Sequence, residues 1–124
     1  MPLRARLPYW REVAVGGAIG TLARVLLDAV VGPISGWDPG IAVVNVVGAL
    51  ALGWLSTLSL SGEDPARWRA FAGTGVLGAF TTFSALALGV VDGSPTGPAV
   101  ATLAVSIAGG ILAAAVGRRV GATR

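Results

Sequence analysis

The chain has 124 residues, 54% hydrophobic and 12% charged, with nine Arg, no Lys and six Asp+Glu for a net charge of +3. That length holds one domain at roughly 100–200 residues each; since soluble domains carry about 25% charged residues, a mean hydropathy of +0.78 assigns this one to a membrane. With neither Cys nor His, disulfides, thiol chemistry, thiolate or imidazole metal sites and imidazole acid–base catalysis are excluded, and the arginine excess reads as membrane topology rather than nucleic-acid binding.

A hydrocarbon core of about 30 Å asks for about 20 apolar residues per helix. The first candidate, residues 13–31, is interrupted by Arg24 and Asp28, which lie four apart on one helix face, where they can pair. A secretory signal is the alternative for this segment, but its apolar character runs on past Arg24 and no small-x-small cleavage site follows. Residues 41–60, 71–91 and 99–117 each carry no charge. The spacing therefore predicts an all-α membrane protein, a single domain over 1–124, with helices near 10–31, 38–60, 68–91 and 97–119. Turn residues join them: Gly32, Pro33, Pro39 and Gly40, then Pro65, then the stretch 92–98. Small residues four apart recur in every helix, at Gly16/Gly20, Ala49/Gly53, Gly75/Ala79, Ser106/Gly110 and Ala113/Gly117. Lipid gives helices no hydrophobic reason to associate, so close backbone approach through such residues takes that role.

With four spans, both ends and the middle connection share one side. Arg4, Arg6, Arg11, Arg67, Arg69, Arg118, Arg119 and Arg124 all fall there, while Arg24 lies inside the first span. The positive-inside rule then predicts a multi-pass protein of the cell membrane with both termini cytoplasmic.

Few polar groups enter the spans. Asn45, within Val43-Val44-Asn45-Val46-Val47, is either interhelical hydrogen-bond glue or an amide donor facing an anion or water path. Thr81, Thr82 and Ser84 cluster with Phe83 at the midpoint of the third span, beside Gly78. Hydroxyls around the whole helix circumference cannot all bond back to the preceding turn, and the cluster predicts a helix broken around 78–84. Non-helical backbone at that depth is tolerated only where it is buried or lines a cavity. Freed carbonyls there can hold a cation and hydroxyls an anion; Phe83 is either core or a ring-edge anion contact. Arg24 is either a structural charge or part of an electropositive vestibule. No carboxylate pair, nucleophile–base pair or phosphate-binding glycine loop is present, so enzyme chemistry has no foundation here.

Three motifs in order resemble the small fluoride channels of the CrcB/Fluc family. Gly16-Gly17-Ala18-Ile19-Gly20-Thr21-Leu22-Ala23-Arg24 is similar to GGxxGxxxR, Asn45-Val46-Val47-Gly48-Ala49-Leu50-Ala51-Leu52-Gly53 to NxxGxFxxG, and Gly75-Val76-Leu77-Gly78-Ala79-Phe80-Thr81-Thr82-Phe83-Ser84 to GxxGGFTTFS. The resemblance implies an antiparallel dimer of four-helix subunits that exports fluoride passively and lowers fluoride toxicity. It further implies a structural Na⁺ at the dimer axis, held by backbone oxygens of Gly78 and Thr81. Asn45, Thr82, Phe83 and Ser84 would lie along the fluoride path, with Arg24 near the vestibule.

The sequence departs from the family pattern at Leu86, where a second phenylalanine is usual, at Thr102, where a Tyr usually stands four residues before Ser106, at Val25 and at Ala79. One pore-lining half is thus degraded. Together with arginines confined to one side, this predicts a heterodimer with an oppositely oriented paralogue rather than with a second copy. The competing class is a four-helix multidrug-type efflux subunit, which needs a membrane-embedded carboxylate for proton coupling; only Asp28, near the end of the first span, is on offer. A purely structural membrane subunit is the third reading.

Overall fold

The computed structural model describes residues 8–32, 39–59, 64–83 and 97–123. Among them the chain is all-helical. Helix α1 spans Trp10–Val31 and α2 Pro39–Leu55. Helix α3 is composite, with α geometry over Pro65–Trp68, π geometry over Arg69–Leu77 and α again over Gly78–Phe80. Helix α4 spans Gly97–Ala122.

The boundaries follow local chemistry. Pro39 and Pro65 open α2 and α3, where a missing N–H costs nothing. Asp64 caps α3 by accepting from Arg67 N at 3.1 Å. Helix α1 ends where expected, at Gly32, whose φ of 63° and ψ of 164° suit glycine alone. Helix α2 stops at Leu55, short of the expected residue 60. Beyond it the Ser56 and Thr57 hydroxyls donate to Gly53 O and Trp54 O, each at 2.7 Å, and Thr57 N turns back to Trp54 O. Helix α4 runs three residues past the expected 119.

The third helix leaves helical geometry at Thr81, where ψ is 152°. The predicted second half of that span, 84–91, lies outside the described residues, as do Ser84 and Leu86.

Packing is in pairs: α1 lies against α3 and α2 against α4, while the two pairs touch sparingly. Within each pair the helices run parallel, as alternating spans must. Gly16 faces Phe71 and Gly75, and Gly20 faces Val76 and Phe80; likewise Val46 meets Gly109, Gly53 meets Ala114, and Thr57 meets Gly121. Among the contact residues Gly16, Gly20, Gly53, Gly75 and Gly117 were singled out from spacing, whereas Gly109, Ala114 and Gly121 were not. A Cβ on Gly117 would run into Leu50 O and stand 2.9 Å from Trp54 N, so only glycine admits this approach.

The interior is the inverse of a soluble core. Ala42 and Val44 are the buried hydrophobic residues among those described, alongside Thr82, Thr102 and Ser106. Val30, Ile111 and Leu112 point outward, 67–84% exposed, as suits side chains facing lipid. Replacing Gly117 by Val should therefore force α2 and α4 apart, at the ~1–3 kcal/mol typical of overpacking or more. Thermal unfolding in detergent should show a clear loss for Gly117→Val and almost none for the outward-facing Leu112→Val.

A polar clasp ties α1 to α3 at one end. Arg67 Nε pairs with Glu12 Oε1 at 2.6 Å, and Tyr9 OH donates to Asp64 Oδ1 at 3.1 Å. That hydrogen bond, then desolvation and the nearby carboxylates, push the Tyr9 phenol above its ordinary range, so it stays a donor. At the same end Arg69 Nη2 reaches Leu58 O, and Thr57 shares a cleft with Arg118 and Arg119. Of the arginines assigned to one side by counting spans, Arg11, Arg67, Arg69, Arg118 and Arg119 collect at one end of the bundle, while Arg4, Arg6 and Arg124 lie outside the described residues.

Candidate functional site

The site forms where the two helix pairs meet. Asn45 projects from the middle of α2 toward the chain just past α3, where its side-chain amide pairs with the Thr82 backbone. Asn45 Oδ1 accepts from Thr82 N at 2.8 Å, and Asn45 Nδ2 donates to Thr82 O at 3.1 Å. In a continuous helix the Thr82 N–H would bond the Gly78 carbonyl. Here Asn45 accepts it instead. The amide is thus a backbone clamp, and since Asn has two N–H donors it keeps one beyond this pair.

Beside the clamp, Asn45, Thr81, Thr82, Phe83, Ser106 and Ile107 line a cleft of about 190 Å³. That is below the ~300 Å³ at which sites for organic ligands begin. The hydroxyls around it differ in what they have left to give. Thr81 Oγ1 donates to Leu77 O at 3.0 Å, and Thr102 Oγ1 to Pro98 O at 3.0 Å, so both are spent on their own helices. Ser106 is 6% exposed and its Oγ has no partner among the described residues. A buried hydroxyl left unsatisfied costs on the order of 1–3 kcal/mol, which a ligand or water recovers. Gly48 makes room at the back of the cleft, since a Cβ there would meet Thr81 Cγ2.

Phe83 stands at the mouth, 74% exposed, its ring turned outward from the single chain. Gly78 is exposed as well. Among the described residues no three carboxylates, His or Cys gather to hold a metal ion, so a cation here would depend on neutral oxygens. Arg24 lies one turn past Gly20, half-buried on α1. Its Nε is enclosed without a partner, and the pairing with Asp28 does not form, Arg67–Glu12 being the one ion pair among the described residues. Asp28 is exposed near the end of α1.

The sequence profile of the family described as "CrcB-like protein, Camphor Resistance (CrcB)" matches residues 12–118. The chain belongs to the CrcB family. This CrcB chain is 43% identical over 123 residues to "Fluoride-specific ion channel FluC 2" of Leifsonia xyli subsp. xyli, covering 90% of the chain and 85% of that relative. It is 39% identical over 121 residues to "Fluoride-specific ion channel FluC" of Deinococcus radiodurans, covering 93% and 96%. Leifsonia xyli subsp. xyli has a second relative, "Fluoride-specific ion channel FluC 1", 41% identical over 75 residues, covering 58% of this chain and 54% of that relative.

Of the residues singled out from sequence, the CrcB fold brings Asn45, Thr81, Thr82 and Phe83 to one cleft and sets Gly78 just before it. Ser106 joins them, a residue the sequence marks as a small packing residue and as the fourth-helix Ser of the family pattern but not as a site residue. The available signal was its spacing of four from Thr102, which puts two hydroxyls on one buried face of α4.

Proposed function

We propose that this chain is a subunit of a fluoride-selective passive channel that carries fluoride out of the cytoplasm. It is a channel component rather than an enzyme. The observation that carries the reading is the small cleft beside the Asn45–Thr82 clamp, where a spare amide N–H and the unpartnered Ser106 hydroxyl supply donors without any fixed opposing charge. Neutral donors in a small cleft suit a small anion that must bind and also leave. A multidrug exporter fits poorly, because the cleft is small and Asp28 is remote from it in sequence and exposed.

The outward-facing Phe83 and Gly78 support assembly with a second chain across that face. Backbone oxygens of Gly78 and Thr81 would hold Na⁺ there, Gly78 having ceded its helical donor to Asn45; bound Na⁺ would neutralise the carbonyl dipoles at the end of α3. Helix would then resume beyond Ser84, which with Thr82 would continue the fluoride path, and Arg24 would raise the potential of the adjoining vestibule. The partner would be an oppositely oriented paralogue, and the clustered arginines support a topology with both termini of this chain in the cytoplasm. Leu86 and Thr102 fit a chain that leaves one pathway to its partner, and one organism with relatives numbered 1 and 2 supports paralogue pairing.

Proteoliposomes holding the chain together with its paralogue, loaded with fluoride or chloride, test the function directly. Fluoride efflux should proceed with chloride retained, and Ser106→Ala should slow fluoride about ten-fold, the scale of one lost hydrogen bond to a charged group. Equal efflux of both anions, or none from any assembled form, refutes the proposal.

A further inference from the structure

The sparse contact between the helix pairs leaves a crevice between α2 and α3 at the arginine-rich end. Leu52, Leu55 and Ser56 form one wall, with Arg69, Gly73 and Thr74 opposite, around a space of about 390 Å³. The π winding over Arg69–Leu77 aligns residues four to five apart, which sets Arg69, Gly73 and Thr74 on one face. Gly73 brings no side chain to the trench. The Leu55 and Leu52 methyls lie 3.5 and 3.9 Å from where its Cβ would stand, so the floor is apolar.

Arg69 occupies the rim. It is exposed, its hydrogen bond to Leu58 O is a long 3.4 Å, and it makes no ion pair among the described residues, whereas Arg67 is neutralised by Glu12. An apolar trench topped by an unneutralised guanidinium at the end of a membrane bundle matches an amphipathic anion. A free anion would gain nothing from the leucine walls, and a neutral lipid nothing from the arginine. Arg11, Arg118 and Arg119 at the same end add to a field that draws anionic headgroups.

We propose that this crevice seats one anionic phospholipid per chain, its phosphate on Arg69 and an acyl chain against Leu52, Leu55 and Gly73. A guanidinium offers a phosphate two parallel donors, which favours Arg over a point charge here. The proposal rests on the membrane setting and not on what the channel conducts.

The test is native mass spectrometry of the full chain released from nanodiscs of phosphatidylcholine containing a minority of phosphatidylglycerol. Wild type should retain one phosphatidylglycerol per chain in preference to phosphatidylcholine. Arg69→Gln, an exposed change that leaves packing alone, should lower that retention about ten-fold, the scale of one charge-assisted pair. Arg119→Gln should retain the lipid as wild type does. Gly73→Leu should lose it with Arg69 intact, because the trench is filled; should that variant fail to assemble, Leu55→Phe fills the trench from the other wall. Three results overturn the site: equal loss in Arg69→Gln and Arg119→Gln, displacement of the lipid by inorganic phosphate alone, or no preference for phosphatidylglycerol in wild type.

Discussion

Asn45→Leu should cut fluoride efflux by at least about thirty-fold while the protein still assembles. The variant keeps the branched outline of the side chain, somewhat enlarged, and removes both of its bonds to Thr82. The Thr82 N–H and carbonyl each then lose a hydrogen bond at a buried position, at about 1–3 kcal/mol each. At 1.4 kcal/mol per tenfold, even the low end of that sum reaches thirty-fold if the open conformation bears it. The chain past α3 should respond by winding on as helix, which returns the Thr82 N–H to Gly78 and closes the cleft. Efflux from liposomes measures the loss, and size-exclusion chromatography with circular dichroism verifies assembly and helix content. Wild-type efflux from an assembled Asn45→Leu protein would reduce the amide to ordinary interhelical glue.

Expressed alone, the chain should insert in one orientation and conduct no fluoride until an oppositely biased paralogue is supplied. Eight arginines flank one side of the four spans and none the other, apart from Arg24 within α1. The structure gathers Arg67, Arg69, Arg118 and Arg119 at the end where α1 begins. Inverting the chain would translocate all of them, which short basic flanks oppose. Labelling single cysteines near each terminus from either side of intact cells reads the orientation, and efflux with and without the paralogue reads the function. Mixed orientation together with fluoride efflux from the lone chain would refute the heterodimer.

The four helices were legible because lipid imposes length and charge rules that a linear scan can apply, and two of them, Trp10–Val31 and Gly97–Ala122, are long and apolar enough to cross a bilayer. The start and end of α1 follow from the apolar run and from Gly32. The glycine and alanine spacings anticipated several of the contacts within each helix pair, since backbone proximity leaves little choice of residue. The early end of α2 was not legible. Residues 56–60 are apolar enough to continue, but the Ser56 and Thr57 hydroxyls take over carbonyls that the next turn would use. Asn45 was legible as a polar anomaly and not as a clamp, because its partner is a backbone segment 37 residues away. The π stretch in α3 left no periodic trace strong enough to read. Ser106 and Thr102 look alike in sequence, and they part only in three dimensions, where Thr102 bonds Pro98 and Ser106 bonds nothing among the described residues.

The interior of small side chains has a consequence for how this protein tolerates change. In a water-soluble domain, shaving methyl groups from buried positions opens voids and is the commonest way to lose stability. Here the buried positions have almost no methyl groups to shave, and the large aliphatic ones face a solvent as oily as themselves. Sensitivity should run the other way: truncation scans along α1 and α4 should be nearly silent, whereas scans that add a single carbon to the inward glycines should be deleterious. The same asymmetry would let the outer surface drift freely among Leu, Ile, Val and Phe while the inward glycines stay fixed, so relatives of low overall identity could still share one backbone.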